Sequence, residues 1–152
     1  MTTPLRHRNL PHLLLRSREA LMGHFRPLLG EAGLTEPQWR IVRELVEQGP
    51  LEPRQLCIAC SISSPSIVGV LARMEETGLV RRERMAHDAR RVRVSLTPKS
   101  RRLAGKLIPQ IERRYEELEA ALGVRSIQEV YDALDALLAR TPRAAGSVGE
   151  DS

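Results

Sequence analysis

The chain has 152 residues, 41% hydrophobic and only 3% aromatic, with a formal charge of +5. That length suits one domain, or one domain with an oligomerisation arm, and a core of leucine, valine, isoleucine and alanine favours helices over a β-sandwich. No apolar run reaches the ~20 residues of a membrane span and no signal-peptide pattern opens the chain, so a cytoplasmic protein is expected.

Residues 1–9 read as a flexible basic arm. From Leu10 to Leu29 the residues Leu10, Leu14, Leu21, Phe25 and Leu28 recur at spacings of three, four and seven, one stripe of an amphipathic helix. Arg18, with Ser17 beside it, stands where the stripe should continue. A charge on an apolar face is a local inconsistency of the kind found at functional sites. After Gly30 and Gly33, Thr35-Glu36-Pro37-Gln38 carries a helix-start signature: a capping threonine, a first-turn proline and a glutamine at the third position. This helix continues through Trp39, Ile41, Val42, Leu45 and Val46 and stops at Gly49-Pro50.

A short helix over Pro53–Cys60 and a turn at Ser61-Ile62-Ser63 follow. Ser64-Pro65 then opens another helix, with serine as cap and proline in the first turn, ending near Thr77 before Gly78. Ile67, Val70, Leu71 and Met74 form its predicted buried face. Ser63, Ser64, Pro65, Ser66, Gly69 and Arg73 are left for the other, a small polar surface able to approach a DNA groove. Arg81-Arg82-Glu83-Arg84 and Arg90-Arg91-Val92-Arg93-Val94-Ser95-Leu96 read as a β-hairpin. A side-chain period of two predicts an apolar inner face and a cationic outer face of arginines. Residues 50–102 hold 11 Lys/Arg against 5 Asp/Glu, whereas residues 103–152 hold 6 against 9. The cationic surplus therefore lies in the segment expected to meet phosphate.

Thr97-Pro98 starts a long helix with the stripe Leu103, Leu107, Ile111, Tyr115, Leu118 and Leu122, about 25 residues or roughly 37 Å. Pro109 should kink it. Ser126-Ile127-Gln128-Glu129 reads as a capping box opening a last helix with Ile127, Val130, Leu134, Leu137 and Leu138, which Pro142 ends. The architecture predicted is mainly α with a small β-hairpin wing: a winged helix-turn-helix with an α-helical dimerisation region. Residues 10–33 and 97–141 form the helical dimerisation region, 34–96 the DNA-binding domain, and 142–152 a disordered tail.

Catalytic signatures are missing. No nucleophile elbow, phosphate loop or paired-carboxylate motif occurs, and His7, His12, His24 and His87 do not cluster, so neither an enzyme nor a metal site is expected. Cys57 and Cys60 form a C-x-x-C without a second ligand pair. Two small buried residues on one helix is the favoured reading, and a redox-sensing thiol pair the alternative.

Leu79-Val80-Arg81-Arg82, Asp88-Ala89-Arg90-Arg91 and Val94-Ser95-Leu96-Thr97 together resemble the wing of the MarR (multiple antibiotic resistance regulator) family, and the match extends over residues 10–140. Within that family, Arg18-Glu19-Ala20, Phe25-Arg26-Pro27, Leu34-Thr35 and Gln38-Trp39-Arg40-Ile41-Val42-Arg43 are similar to the homoprotocatechuate-degradation operon repressors. Ser100 departs from the family pattern, which often has glycine there, and the departure is expected to affect only the helix start.

The resemblance implies a homodimer on a palindromic double-stranded operator, repressing nearby genes and released by a small hydroxylated aromatic carboxylate, with no other cofactor. It implies that Asp88 braces the wing through a salt bridge while Arg90 enters the minor groove. Ser64, Pro65, Ser66 and Arg73 would lie in or beside the major groove, and Arg82, Arg84, Arg91 and Arg93 would meet phosphates. Family effector pockets lie where the first two helices meet the long helix. Arg18 would there hold a carboxylate, with Ser17, His24, Trp39 and Arg40 orienting or stacking on the ring. The alternatives are that Arg18 pairs with Glu19 or Glu116 and that Trp39 is core.

Overall fold

The computed structural model describes residues 1–142. It contains α1 (Leu10–Glu31), α2 (Glu36–Gln48), α3 (Pro53–Cys60), α4 (Ser64–Glu76), β1 (Val80–Met85), β2 (Asp88–Leu96), α5 (Pro98–Leu122) and α6 (Val124–Arg140). The expected mainly helical winged helix-turn-helix is therefore present. Of the tail expected at 142–152, residues 143–152 lie outside the described part. No single helix among the described residues is long and apolar enough to cross a membrane. The chain divides into two compact units, residues 1–112 and the remainder from Arg113.

Side-chain caps start most helices of the first unit. Thr35 Oγ1 accepts the Gln38 amide at 3.4 Å while Gln38 Oε1 accepts the Thr35 amide at 3.0 Å, the reciprocal capping predicted for α2. The cap of α4 is Ser63 rather than Ser64: Ser63 Oγ accepts the Ser66 amide at 3.4 Å, and Pro65 falls at the second helical position. Ser63 has the extended backbone a cap needs (φ −66°, ψ 151°), whereas Ser64 is already helical. At α5, Thr97 and Ser100 cap each other. The Ser100 amide donates to Thr97 Oγ1 (3.2 Å) and the Thr97 amide to Ser100 Oγ (3.0 Å). Ser100 is fully buried and replaces the longer Glu or Gln of the usual box.

Within the first unit, α2, α3 and α4 surround one core. Ile41, Val42 and Leu45 of α2 are buried, as are Leu56 of α3 and Ile67, Leu71 and Met74 of α4; Val70 is only half-buried. Leu28, Leu29 and Leu34 are buried near the start of the head, and Ala104, Leu107 and Ile111 on the first half of α5. Two of the turns with left-handed backbone flank α4. Ser61 (φ 51°) closes α3 ahead of α4, and Gly78 (φ 74°) releases the chain from α4 into the wing, where a side chain would be strained.

The wing pairs Val80 with Leu96, Arg82 with Val94 and Arg84 with Val92, with a register shift between Arg84 and Met85. Directly paired residues share a face of the ribbon. Arg82 and Arg84 therefore stand on the valine side, while Arg90 lies in the irregular stretch between the Arg84–Val92 and Met85–Asp88 pairs. This corrects the expectation that all the arginines share the outer face, which Arg81, Arg91 and Arg93 do occupy. Leu51 joins the ribbon as an isolated bridge, its amide donating to the Val94 carbonyl at 3.1 Å and its carbonyl accepting the Val94 amide at 2.7 Å. Val94, the centre of this three-strand patch, is fully buried.

In α1 the predicted stripe is buried only at Phe25 and Leu28, while Leu10, Leu15 and Leu21 are exposed. The helix runs through Pro27, and α5 likewise runs through Pro109 without a break. In the second unit a single residue, Gly123 (φ 91°), joins the end of α5 to α6. That early restart corrects the capping-box reading: Gly123 is the cap of α6, and Ser126 sits inside the first turn. None of the α6 residues is buried, and Leu138 is 76% exposed.

Truncating Leu71, which is almost completely enclosed, to alanine should cost about 2–5 kcal/mol of stability in a urea titration at fixed protein concentration. An unchanged midpoint would place Leu71 outside the core. Acid should act on the wing. Hydrogen bonds from Arg91 and Arg82 hold the Glu52 and Glu75 carboxyls below the ordinary Glu value of 4.5. Depressed folded values make this stabilisation complete above 4.5 and remove it as pH falls through the lower folded values. Hydrogen exchange should therefore show the wing amides losing protection below pH 4.5, with a shallower loss in the Glu52→Gln/Glu75→Gln protein.

Candidate nucleic-acid interface and effector region

The packing of α4 decides which of its residues can reach outward. Ile67, Leu71 and Met74 are buried, so Ser63, Ser64, Pro65, Ser66, Gly69 and Arg73 are all exposed, as the spacing predicts. Ser63 Oγ donates to Ser66 Oγ at 2.9 Å, which fixes two hydroxyls at the start of the helix. The first helical amides there lack partners within the helix and suit an anion such as a phosphate. Val68 is 64% exposed on this surface and was not singled out by the sequence reading. Its signal was an apolar residue lying off the buried stripe, and a bare isopropyl group can pack on a thymine methyl.

The wing arginines fall into two sets. Arg82 reaches Glu75 of α4 with Nε at 3.0 Å and Nη2 at 3.3 Å. Arg91 grips Glu52, just before α3, with Nε at 2.7 Å and Nη2 at 2.9 Å. Both forks are therefore occupied, and they tie the ribbon to the helices rather than standing free. Arg84, Arg90 and Arg93, with Arg73 on α4, have no ion-pair partner among the described residues. Arg93 lies within the field of the Glu52 carboxylate, and Arg73, Arg84 and Arg90 are the cations most open to a polyanion. Asp88 corrects another expectation: its Oδ1 accepts the Arg90 backbone amide at 3.0 Å, and no salt bridge to it occurs among the described residues. It shapes the backbone that carries Arg90. The salt bridges that hold the wing belong instead to Glu75 and to Glu52, whose place before Pro53 looked like a loop.

Around α1 and α2 a four-member charge network occupies the proposed effector region. Arg18 pairs with Glu36, in the first turn of α2, and lies 3.6 Å from Glu19. Arg26 reaches Glu19 at 2.9 Å and Glu36 at 3.7 Å. Glu19 is one of the partners expected for Arg18. Glu36 was missed because its segment was read only as a helix start. Ser17 and His24 are exposed, the Ser17 hydroxyl donating to the Leu13 carbonyl at 2.8 Å. Trp39 is 8% exposed, largely core. Arg40 faces α3, its Nη1 donating to the Cys60 carbonyl at 2.5 Å while its buried Nε has no partner among the described residues. Arg18 thus meets α2 at Glu36, whereas Arg40 is directed to α3.

Cys60 is buried and Cys57 partly so; neither is in a disulfide. Burial, with the Glu44 charge, pushes the Cys60 thiol up to about 11. It is protonated at neutral pH and a poor nucleophile.

A family model described as the MarR family matches residues 32–91. Over 134 residues the chain is 37% identical to the HTH-type transcriptional regulator FarR of Neisseria gonorrhoeae, covering 88% of this chain and 92% of that protein. It is 38% identical over 133 residues to the homoprotocatechuate degradative operon repressor of Escherichia coli, covering 88% and 90%. The crystal structure of NadR in complex with 4-hydroxyphenylacetate matches with a TM-score of 0.78 at 37% identity, covering 93% of this chain and 100% of that one. With helices, wing and near full-length relatives in agreement, the chain belongs to the MarR family of winged helix-turn-helix transcriptional regulators.

Proposed function

We propose that this regulator works as a homodimer on a palindromic operator, represses genes of aromatic-acid catabolism, and is released by a hydroxylated aromatic carboxylate. The observation that carries the DNA half is the exposed polar face of α4 beside three wing guanidiniums that lie outside every ion pair among the described residues. Ser63 to Ser66, Val68, Gly69 and Arg73 enter the major groove. Arg90 enters the minor groove, where a narrow electronegative channel favours guanidinium. Arg84 and Arg93 contact phosphate and supply affinity without sequence information. Arg82 and Arg91 hold the ribbon in place and contribute field rather than direct contacts.

The dimer reading rests on apolar surface a single chain leaves open: Leu10, Leu15 and Leu21 on α1, and Val130, Tyr131 and Leu138 on α6. Residues 10–33 and 97–141 supply that interface, and 34–96 the DNA-binding head. The effector reading rests on relatives: one is named for a homoprotocatechuate operon and another was solved with 4-hydroxyphenylacetate. In this chain the acid would take Glu36's place on Arg18, near Ser17 and His24, with Trp39 behind. Arg40 acts indirectly, through the Cys60 carbonyl. The ligand needs only to favour a dimer whose recognition helices are no longer about one helical turn (~34 Å) apart, and operator and acid then weaken each other equally. The cysteine-switched alternative is disfavoured by the protonated, buried Cys60.

Fluorescence anisotropy on the protein's own promoter tests this reading. Arg73→Gln should cost about 1–3 kcal/mol and relax specificity at one base pair. Arg84→Gln or Arg93→Gln should weaken all sequences alike and lower the salt slope by about 0.9. Equal binding of operator and scrambled duplex would contradict the reading. Adding 4-hydroxyphenylacetate and related acids should release the operator for at least one of them, and Arg18→Gln should blunt that release at least tenfold. Indifference to the whole panel would remove the effector half, and loss of operator binding on peroxide treatment would restore the cysteine alternative.

A further inference from the structure

The outward surface of α4 divides into two rows. Ser66, Gly69 and Arg73 follow one another at spacings of three and four, and so do Pro65, Val68 and Ala72, so each set runs along one line of the helix. The first row carries hydrogen-bonding groups on Ser66 and Arg73, whereas the side chains of the second are hydrocarbon alone. Val68 is 64% exposed, Pro65 is exposed and Ala72 is half-buried. The head core does not use Val68, which lies off the buried stripe of Ile67, Leu71 and Met74. It also lies outside residues 10–33 and 97–141, the segments proposed to join two copies. Gly69 touches both rows, three or four positions from Pro65, Ser66, Ala72 and Arg73. Its backbone is ordinary helix, and a Cβ there would meet no group within 4 Å among the described residues. Glycine inside a helix is destabilising relative to alanine. Neither the backbone nor the packing of the free head calls for it.

We propose that Val68 selects a thymine in each operator half-site through the C5-methyl group of the base, and that Gly69 leaves the middle of α4 bare so that Val68 can descend to it. The proposal rests on the reading that α4 lies in the major groove. An isopropyl group has no hydrogen bond to offer, and of the four bases only thymine presents a methyl at the major-groove edge. Against any other edge Val68 covers donors or acceptors and displaces their water without replacing it, which costs affinity. It therefore favours thymine and rejects the alternatives. Depth matters because valine is short, whereas Arg73 can reach a base from farther away. A Cβ on Gly69 would stand in the space that the base edges must enter, and without it the helix backbone approaches them closely. The glycine weakens the free helix and is compensated only in the complex.

Deoxyuridine keeps every hydrogen-bonding group of thymine and lacks only the methyl. Thymines in the protected half-sites of the protein's own promoter are replaced by deoxyuridine, one symmetric pair at a time, and binding is followed by fluorescence anisotropy at fixed salt. At least one pair should weaken the unaltered full-length protein about fivefold or more. Val68→Ser, which lacks both methyls, should respond to that replacement by less than about 1.5-fold, since the two changes remove the same contact. The altered position is exposed, and Val68→Asn serves the same purpose if the serine variant does not fold. Gly69→Ala should melt at a higher temperature than wild type yet bind the operator about tenfold more weakly. Its binding to scrambled duplex, held by phosphates, should stay within about twofold. An operator still preferred over scrambled duplex but indifferent to every deoxyuridine overturns this proposal and leaves the α4 reading standing. Equal binding of operator and scrambled duplex overturns both. A deoxyuridine penalty that persists in Val68→Ser assigns the methyl to another residue and overturns the role of Val68. Unchanged operator affinity in Gly69→Ala overturns the close approach.

Discussion

Two arginine–carboxylate forks and one backbone exchange set the position of the wing. Arg91 is held by Glu52 at the start of α3, Arg82 by Glu75 on α4, and Leu51 exchanges both hydrogen bonds with Val94. Exposed ion pairs add little to global stability, so their consequence here is geometric. A two-stranded ribbon on its own is marginal in water. Tied to the helices at these places, it becomes a rigid extension of the head. The forks also decide the charge available at its surface. They remove two guanidiniums from the wing's apparent surplus and leave Arg84, Arg90 and Arg93, like Arg73, outside every ion pair among the described residues.

Most of the fold was legible because the signals are local. Thr35-Glu36-Pro37-Gln38 specifies its own capping geometry, the α4 stripe at Ile67, Leu71 and Met74 has helical period, and Gly78 can adopt a left-handed turn cheaply. The failures share a physical cause. Ser63 and Ser64 are both competent caps ahead of Pro65, and only the backbone angle chooses between them. Ser126 carries a capping pattern, but α6 restarts one turn earlier because a single glycine suffices to end α5 and cap the next helix. The faces of the wing depend on register between strands, which composition does not reveal, so Arg82 was assigned to the wrong side.

The site was legible in part for the same reason. The exposed face of α4 follows from periodicity alone, and the residues named there are exposed as expected. Pairings between distant segments were not: Arg91 meets Glu52 across 39 positions, and Arg40 meets the Cys60 carbonyl across 20. Arg18 stood out as a charge on an apolar stripe, a signal that was sound as to location. Its partner Glu36 was hidden inside a helix-start pattern that already had an explanation.

In the function proposed above, α2 is the element through which the effector and DNA regions would communicate. Its first turn holds Arg18 by Glu36, its middle turn supplies Ile41 and Val42 to the head core, and Arg40 grips the end of α3 just before the turn into α4. An acid that exchanges with Glu36 thereby acts on a helix in direct contact with the reading head. The central claim is that α4 and the wing read DNA together, in two copies. Hydroxyl-radical footprinting of the protein on its promoter tests it most directly. The account predicts two symmetric blocks of protection about one helical turn (~34 Å) apart, each losing its minor-groove edge in Arg90→Ala. A single block, a featureless footprint, or a pattern indifferent to Arg90→Ala would contradict it.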